Sequence, residues 1–116
     1  MGTFQIEGGH QLKGSIQPQG AKNEALQILC AVLLTPEKVV IDNIPDIVDV
    51  NKLITILSNL GVKIQKLGKG KYSFKSDALH LEYLESEQFK KEGGGLRGSI
   101  MIVGPLLARF GKGYIP

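Results

Sequence analysis

Between Glu24 and Leu34 nearly every residue is apolar: Ala25, Leu26, Ile28, Leu29, Ala31, Val32, Leu33 and Leu34. A helix written this way has no polar face to give to water, so the run predicts a helix buried between layers rather than one resting on a surface. The rest of the chain has to supply those layers, and the next segments are of the right kind. Thr35-Pro36 stops the helix, and Lys38 to Asp42 is β-branched and reads as a strand. Asn43-Ile44-Pro45-Asp46 is a turn. Asp46 and Asp49 stand where carboxylates favour a helix start, with contact to a ligand as the other reading of Asp49. Ile47, Val50, Leu53, Ile54, Leu57 and Leu60 then recur in three- and four-residue steps, an amphipathic stripe closed by Gly61. Val62 to Leu67 and Tyr72 to Lys75 read as two strands of a hairpin turning at Gly68-Lys69-Gly70.

Upstream, Phe4 to Glu7 and Leu12 to Gln17 read as short strands, ended by Pro18 and Gly20. From Leu12 to Ser76 the expected order is therefore strand, helix, strand, helix, strand, strand, an α/β (α+β) unit. Downstream, His80 to Tyr83 is expected as a strand, Leu84 to Glu92 is polar and undecided, and Gly93-Gly94-Gly95 is a flexible break. Ile100 to Phe110 is a second apolar run, with Pro105 kinking or restarting it. Tyr114-Ile115 would open a further strand. The arrangement of cation, apolar helix, Gly or Pro turn and strand thus occurs twice, from Lys22 and from Arg97, offset by 75 residues. The offset matches one unit, so the chain reads as one complete unit plus the opening of a second.

The 116 residues are 42% hydrophobic and 22% charged, enough for one modest core. A net charge of +3 is mildly basic, but no run exceeds the pair Lys90-Lys91, which argues against a nucleic-acid stripe. The single cysteine, Cys30, excludes an internal disulfide framework and lies inside the first apolar run, where a buried, inert thiol is expected. His10 and His80 lack ligand-like spacing, so no metal site is expected. No apolar run approaches a membrane span, and a cytoplasmic location is the default.

Chemistry concentrates at Gly20-Ala21-Lys22-Asn23-Glu24-Ala25-Leu26. A turn glycine precedes a cation, and a helix begins there. The first amides of a helix lack internal partners and carry partial positive charge, so a phosphate or carboxylate is the natural ligand. Spacing alone leaves two readings open: a solvated first-turn lysine, the commoner of the two, and an anion site. Arg97, at the start of the second apolar run, is open to the same two readings.

The heptapeptide around Lys22 resembles the enolpyruvyl transferases of peptidoglycan synthesis, the UDP-N-acetylglucosamine 1-carboxyvinyltransferase family. The same register holds at Asn43-Ile44-Pro45, at Leu60-Gly61 before a strand, at Arg97-Gly98-Ser99-Ile100, and along Gly104-Pro105-Leu106-Leu107-Ala108-Arg109-Phe110-Gly111. The likeness covers essentially the whole chain. It implies an inside-out α/β barrel of two domains, each built from three strand-helix units, with this chain as an N-terminal portion. Residues 1–21 would be strands packing with the other domain, and residues 22–116 the first unit and the start of the second.

The resemblance further implies that phosphoenolpyruvate donates its enolpyruvyl group to the 3′-hydroxyl of UDP-N-acetylglucosamine, with no cofactor or metal. Lys22 matches a lysine that contacts phosphoenolpyruvate, Asn23 a substrate-binding asparagine, and Arg97 an arginine that contacts the nucleotide sugar. Gly93, Gly94, Gly95 and Gly98 depart from the larger residues usual around that arginine. The catalytic loop and its proton donor are expected beyond Pro116, so no catalytic residue is assigned, Cys30 is not that donor, and the isolated stretch is expected to be inactive. Self-association through exposed edges is a further expectation. Two alternatives differ in ligand. The shikimate-pathway enolpyruvyl transferase usually carries a Ser-Lys-Ser type segment where this chain has Ala21-Lys22-Asn23. A small RNA-binding αβ module would use Gly68-Lys69-Gly70-Lys71, but aromatics for stacking are sparse.

Overall fold

The computed structural model describes residues 2–94 and 97–114, and only the backbone of residues 97–99. Helix α1 (Lys22–Ala31) tightens into a 3-10 turn (Val32–Leu34) and leads to β1 (Lys38–Ile41). Helix α2 (Val48–Leu60), β2 (Lys63–Gly68) and β3 (Lys71–Lys75) follow. A 3-10 turn (Leu81–Glu85), α3 (Glu87–Gly94), a second such turn (Arg97–Ile102) and α4 (Val103–Phe110) complete the described chain. The helix, strand, helix, strand, strand order from Lys22 to Lys75 is the one the sequence predicts.

Strand β3 lies between β1 and β2 and runs antiparallel to both. Its Phe74 pairs with Val39 on one side and Ile64 on the other. Strand residues alternate between faces, so Val39, Ile41, Ile64, Tyr72 and Phe74 point at the helices and join the core. Lys38, Val40, Lys63, Gln65, Ser73 and Lys75 point the other way. On α2, Val50, Leu53, Ile56, Leu57 and Leu60 are fully buried, each worth about 1.5–3 kcal/mol of burial. Gly61 ends α2 with φ 107°, its N–H reaching back to the Leu57 and Ser58 carbonyls. A side chain there is strained, which is why glycine is the ordinary stop signal.

Several expectations are corrected. Residues 4–7 and 12–17 are not strands: no strand of the described chain pairs with them, and Phe4, Ile6, Leu12 and Ile16 are 89–95% exposed. Among the described residues, helix α1 is covered on one side only. Leu26, Leu29 and Cys30 are buried against α2 and the 97–102 turn, while Ile28 and Leu34 remain open to water. His80 to Tyr83 does not form a strand. Leu81–Glu85 winds into a 3-10 turn that buries Tyr83 and Leu84. The undecided stretch after it becomes α3, started by Ser86, whose Oγ accepts the Phe89 N–H at 3.1 Å. Gly93 and Gly94 lie in α3 rather than in a break, and Gly95 lies outside the described residues. Pro105 marks a restart: it falls in the first turn of α4, where its missing N–H costs nothing. Tyr114 is not in a strand, and Ile115 lies outside the described residues.

The two apolar runs pack together in one core and are also tied by a hydrogen bond. Arg109 Nη1 donates to the Leu33 carbonyl at 3.1 Å while its guanidinium stacks 4.7 Å from the Phe110 ring. A carbonyl left over at the end of the first helical run is satisfied from α4.

Candidate functional site

The start of α1 is held by a three-segment corner. Asn43 takes a left-handed conformation with φ 57°, which asparagine tolerates better than most residues. Its carbonyl lies so close to Gly20 that a Cβ there would collide with it. Its side-chain amide donates to the Pro18 carbonyl at 3.4 Å. The next residue, Ile44, donates its N–H to the Gly70 carbonyl of the β2–β3 hairpin at 2.9 Å. Gly70 itself has φ 70° and packs against the Ile44 carbonyl. The chain therefore enters α1 at a fixed point, with Gly20 chosen by proximity and Gly70 by backbone conformation.

Lys22 is the first residue of α1. Ala21 before it is extended (φ −76°, ψ 135°) and caps nothing with a side chain, so the first-turn amides keep free donor capacity. The Lys22 Nζ lies 2.9 Å from Asp49 Oδ2, with both side chains partly exposed. Asp49 sits in the first turn of α2. The hydrogen bond and charge of Lys22, with Lys52 adding a little, hold its carboxyl below the usual carboxylate range against a small opposing effect of burial. An exposed pair of this kind is a weak clamp. It orients the ammonium without committing it, and a more highly charged anion can displace the carboxylate.

Asp49 stands in the first turn of α2, where a carboxylate is expected. Its expected capping role is absent: α2 begins after Ile47 with no side-chain cap. Asp46 does not cap either, and instead accepts the Asn51 side-chain N–H at 2.8 Å. What the geometry shows for Asp49 is its ion pair with Lys22. The only signal in the sequence is a second carboxylate where one cap would suffice.

Asn23, next along α1, is exposed, and its side chain has no hydrogen-bond partner among the described residues. Arg97 opens the 3-10 turn that packs on α1. The fold thus brings the segment bearing Arg97 to the helix bearing Lys22, while the Arg97 side chain lies outside the described residues. A hollow of about 130 Å³ beside α1 is lined by Glu24 and Asp42 together with Ala25, Ile28 and Asn43. Its two carboxylates disfavour an anion, so the cationic surface at Lys22 and Asn23 is the candidate, not this hollow. Cys30 is buried, and burial pushes its thiol up to about 12, which disfavours the nucleophilic thiolate. Among the described residues no group of His, Cys, Asp and Glu is placed to hold a metal, and no helix is long and apolar enough to cross a membrane.

Residues 6–115 match the family of EPSP synthase (3-phosphoshikimate 1-carboxyvinyltransferase). The chain belongs to this enolpyruvyl transferase family. Relatives named UDP-N-acetylglucosamine 1-carboxyvinyltransferase include one from Bacteroides fragilis and one from Bacteroides thetaiotaomicron, each 56% identical over 115 residues and covering 99% of this chain. One of the same name from Porphyromonas gingivalis is 52% identical over 116 residues, covering all of it. The chain spans 26–27% of the length of these curated relatives.

Proposed function

We propose that this chain is the N-terminal portion of a cytoplasmic transferase that moves enolpyruvyl from phosphoenolpyruvate to the 3′-hydroxyl of UDP-N-acetylglucosamine, the first committed step of peptidoglycan synthesis. One observation carries the reading: a lysine stands at the uncapped start of α1, oriented only by a partly exposed carboxylate, in a chain of this family. In the proposal Lys22 exchanges Asp49 for the phosphate of phosphoenolpyruvate. It neutralises charge that grows as phosphate leaves the tetrahedral intermediate. The Asn23 amide both donates and accepts toward substrate, and Arg97 takes the UDP-sugar. Proton transfer is assigned to residues of the parent outside this chain. Residues 1–21 pack with the other domain, and the exposed Ile28 and Leu34 face further units of an inside-out barrel. In isolation those open surfaces favour self-association.

The shikimate-pathway alternative shares the donor. Ala21-Lys22-Asn23 and the relatives at 52–56% identity favour the nucleotide-sugar acceptor. Lys22→Ala in the full-length parent is expected to raise the phosphoenolpyruvate requirement or abolish turnover, measured by phosphate release. Unchanged steady-state kinetics overturn the role given to Lys22. Titrating UDP-N-acetylglucosamine against shikimate 3-phosphate as acceptor decides between the two substrates.

A further inference from the structure

The sheet face turned away from the helices carries a second concentration of positive charge. In the antiparallel register, Lys75 of β3 stands directly opposite Lys38 of β1 and Lys63 of β2. Three ammonium groups therefore share one cross-strand row. Neighbouring strands are about 4.8 Å apart, so the row is about 10 Å wide. Like charges directly opposite each other destabilise a sheet, and one carboxylate answers them. Asp77 lies 3.3 Å from Lys63 and 3.8 Å from Lys75. Lys38 has no ion pair among the described residues, which leaves the row two charges in excess.

The row walls a shallow hollow of about 240 Å³ shared with Ser73 and Gln65. Ser73 is largely buried, but its hydroxyl still reaches solvent and has no hydrogen-bond partner among the described residues, and neither has the exposed Gln65 amide. Cations, a free hydroxyl and a free amide thus converge on one place. All of them donate hydrogen bonds, and an acceptor-rich anion satisfies the whole set. The hollow lies at the opposite end of the strands from the Gly70 hairpin, and on the opposite face of the sheet from the core. It is a separate feature from the Lys22 surface.

We infer that this hollow is a binding site for a small polyphosphate, a ligand with at least two linked phosphate groups. A row three lysines wide suits linked charges better than a single phosphate. The test is calorimetric titration of the intact protein in a Lys22→Ala background, so that the start of α1 does not contribute. Tripolyphosphate, orthophosphate and a glutamate-rich peptide are the probes. Saturable tripolyphosphate binding is expected at moderate salt, at least tenfold tighter than orthophosphate. It should weaken tenfold or more in Lys38→Gln/Lys75→Gln and several-fold in Ser73→Ala, and stay unchanged in Lys69→Gln. Removing like-charge repulsion should leave the double variant folded, which its circular dichroism checks. Ser73→Ala, which changes no charge, gives an independent measure. No saturable binding, an equal loss in Lys69→Gln, or tighter binding of the peptide overturns the inference; the last outcome assigns the face to an acidic protein partner.

Discussion

Two parts of this chain carry the same alternation of apolar and polar residues and meet opposite fates. In β1 and β3 the alternation puts Val39, Ile41 and Phe74 onto the helices. In the N-terminal arm Phe4, Ile6, Leu12 and Ile16 alternate almost as well and stay in water. Local preference is similar in both. What differs is a neighbour: β3 has a strand on each side, and no strand of the described chain pairs with the arm. A strand is a property of a pair, because its backbone groups need a partner outside their own segment.

The largest effect should come from attacking the paired region at its centre. Phe74→Ala is expected to cost about 3–5 kcal/mol, read by denaturant unfolding. Ile16→Ala, in the arm, should fall within about 0.5 kcal/mol of zero. Comparable losses at the two positions would mean that the arm is packed in solution. A smaller effect is expected where arm and body meet. Gly20→Ala should destabilise by more than about 1 kcal/mol, since its methyl group meets the Asn43 carbonyl. Gly8→Ala, with open space around it, should be neutral or slightly stabilising by the same measurement. If both glycines tolerate alanine equally, the arm is not pinned at Asn43.

The smallest effect concerns the Lys22–Asp49 pair. The Asp49 pKa is lowered in the folded chain from its ordinary 3.8. Between the two values the unfolded chain binds more protons than the folded one. The contribution of the pair is therefore complete above the ordinary value and is lost as pH falls through the folded one. Asp49→Asn should flatten the fall in stability below about pH 3.8, measured by thermal melts across that range. A wild-type slope unchanged by the substitution would show that the two side chains do not meet.

The same distinction between local and distant causes explains what the residues disclosed by themselves. Gly61, the Gly68-Lys69-Gly70 turn and the α2 stripe are local signals, and the structure honours each. The exposed side of α1 was hidden, because an apolar residue does not say whether its cover belongs to the same chain. The 3-10 turn at Leu81–Glu85 reads as a strand because Leu81 and Tyr83 also alternate, while the buried Tyr83 packs beside Phe89. At the candidate site, Lys22 and Asn23 were legible from their place before an apolar run. The pairing of Lys22 with Asp49 joins residues 27 apart in sequence and follows only from packing α1 on α2.

The corner at Ile44 has a kinetic consequence. Its amide is tied to Gly70, next to a carbonyl that presses on Gly20, so three stretches remote along the chain must be home before that proton is shielded. Deuterium uptake at this single position therefore reports on assembly, sensitive to whether entry strap, loop and hairpin have locked together.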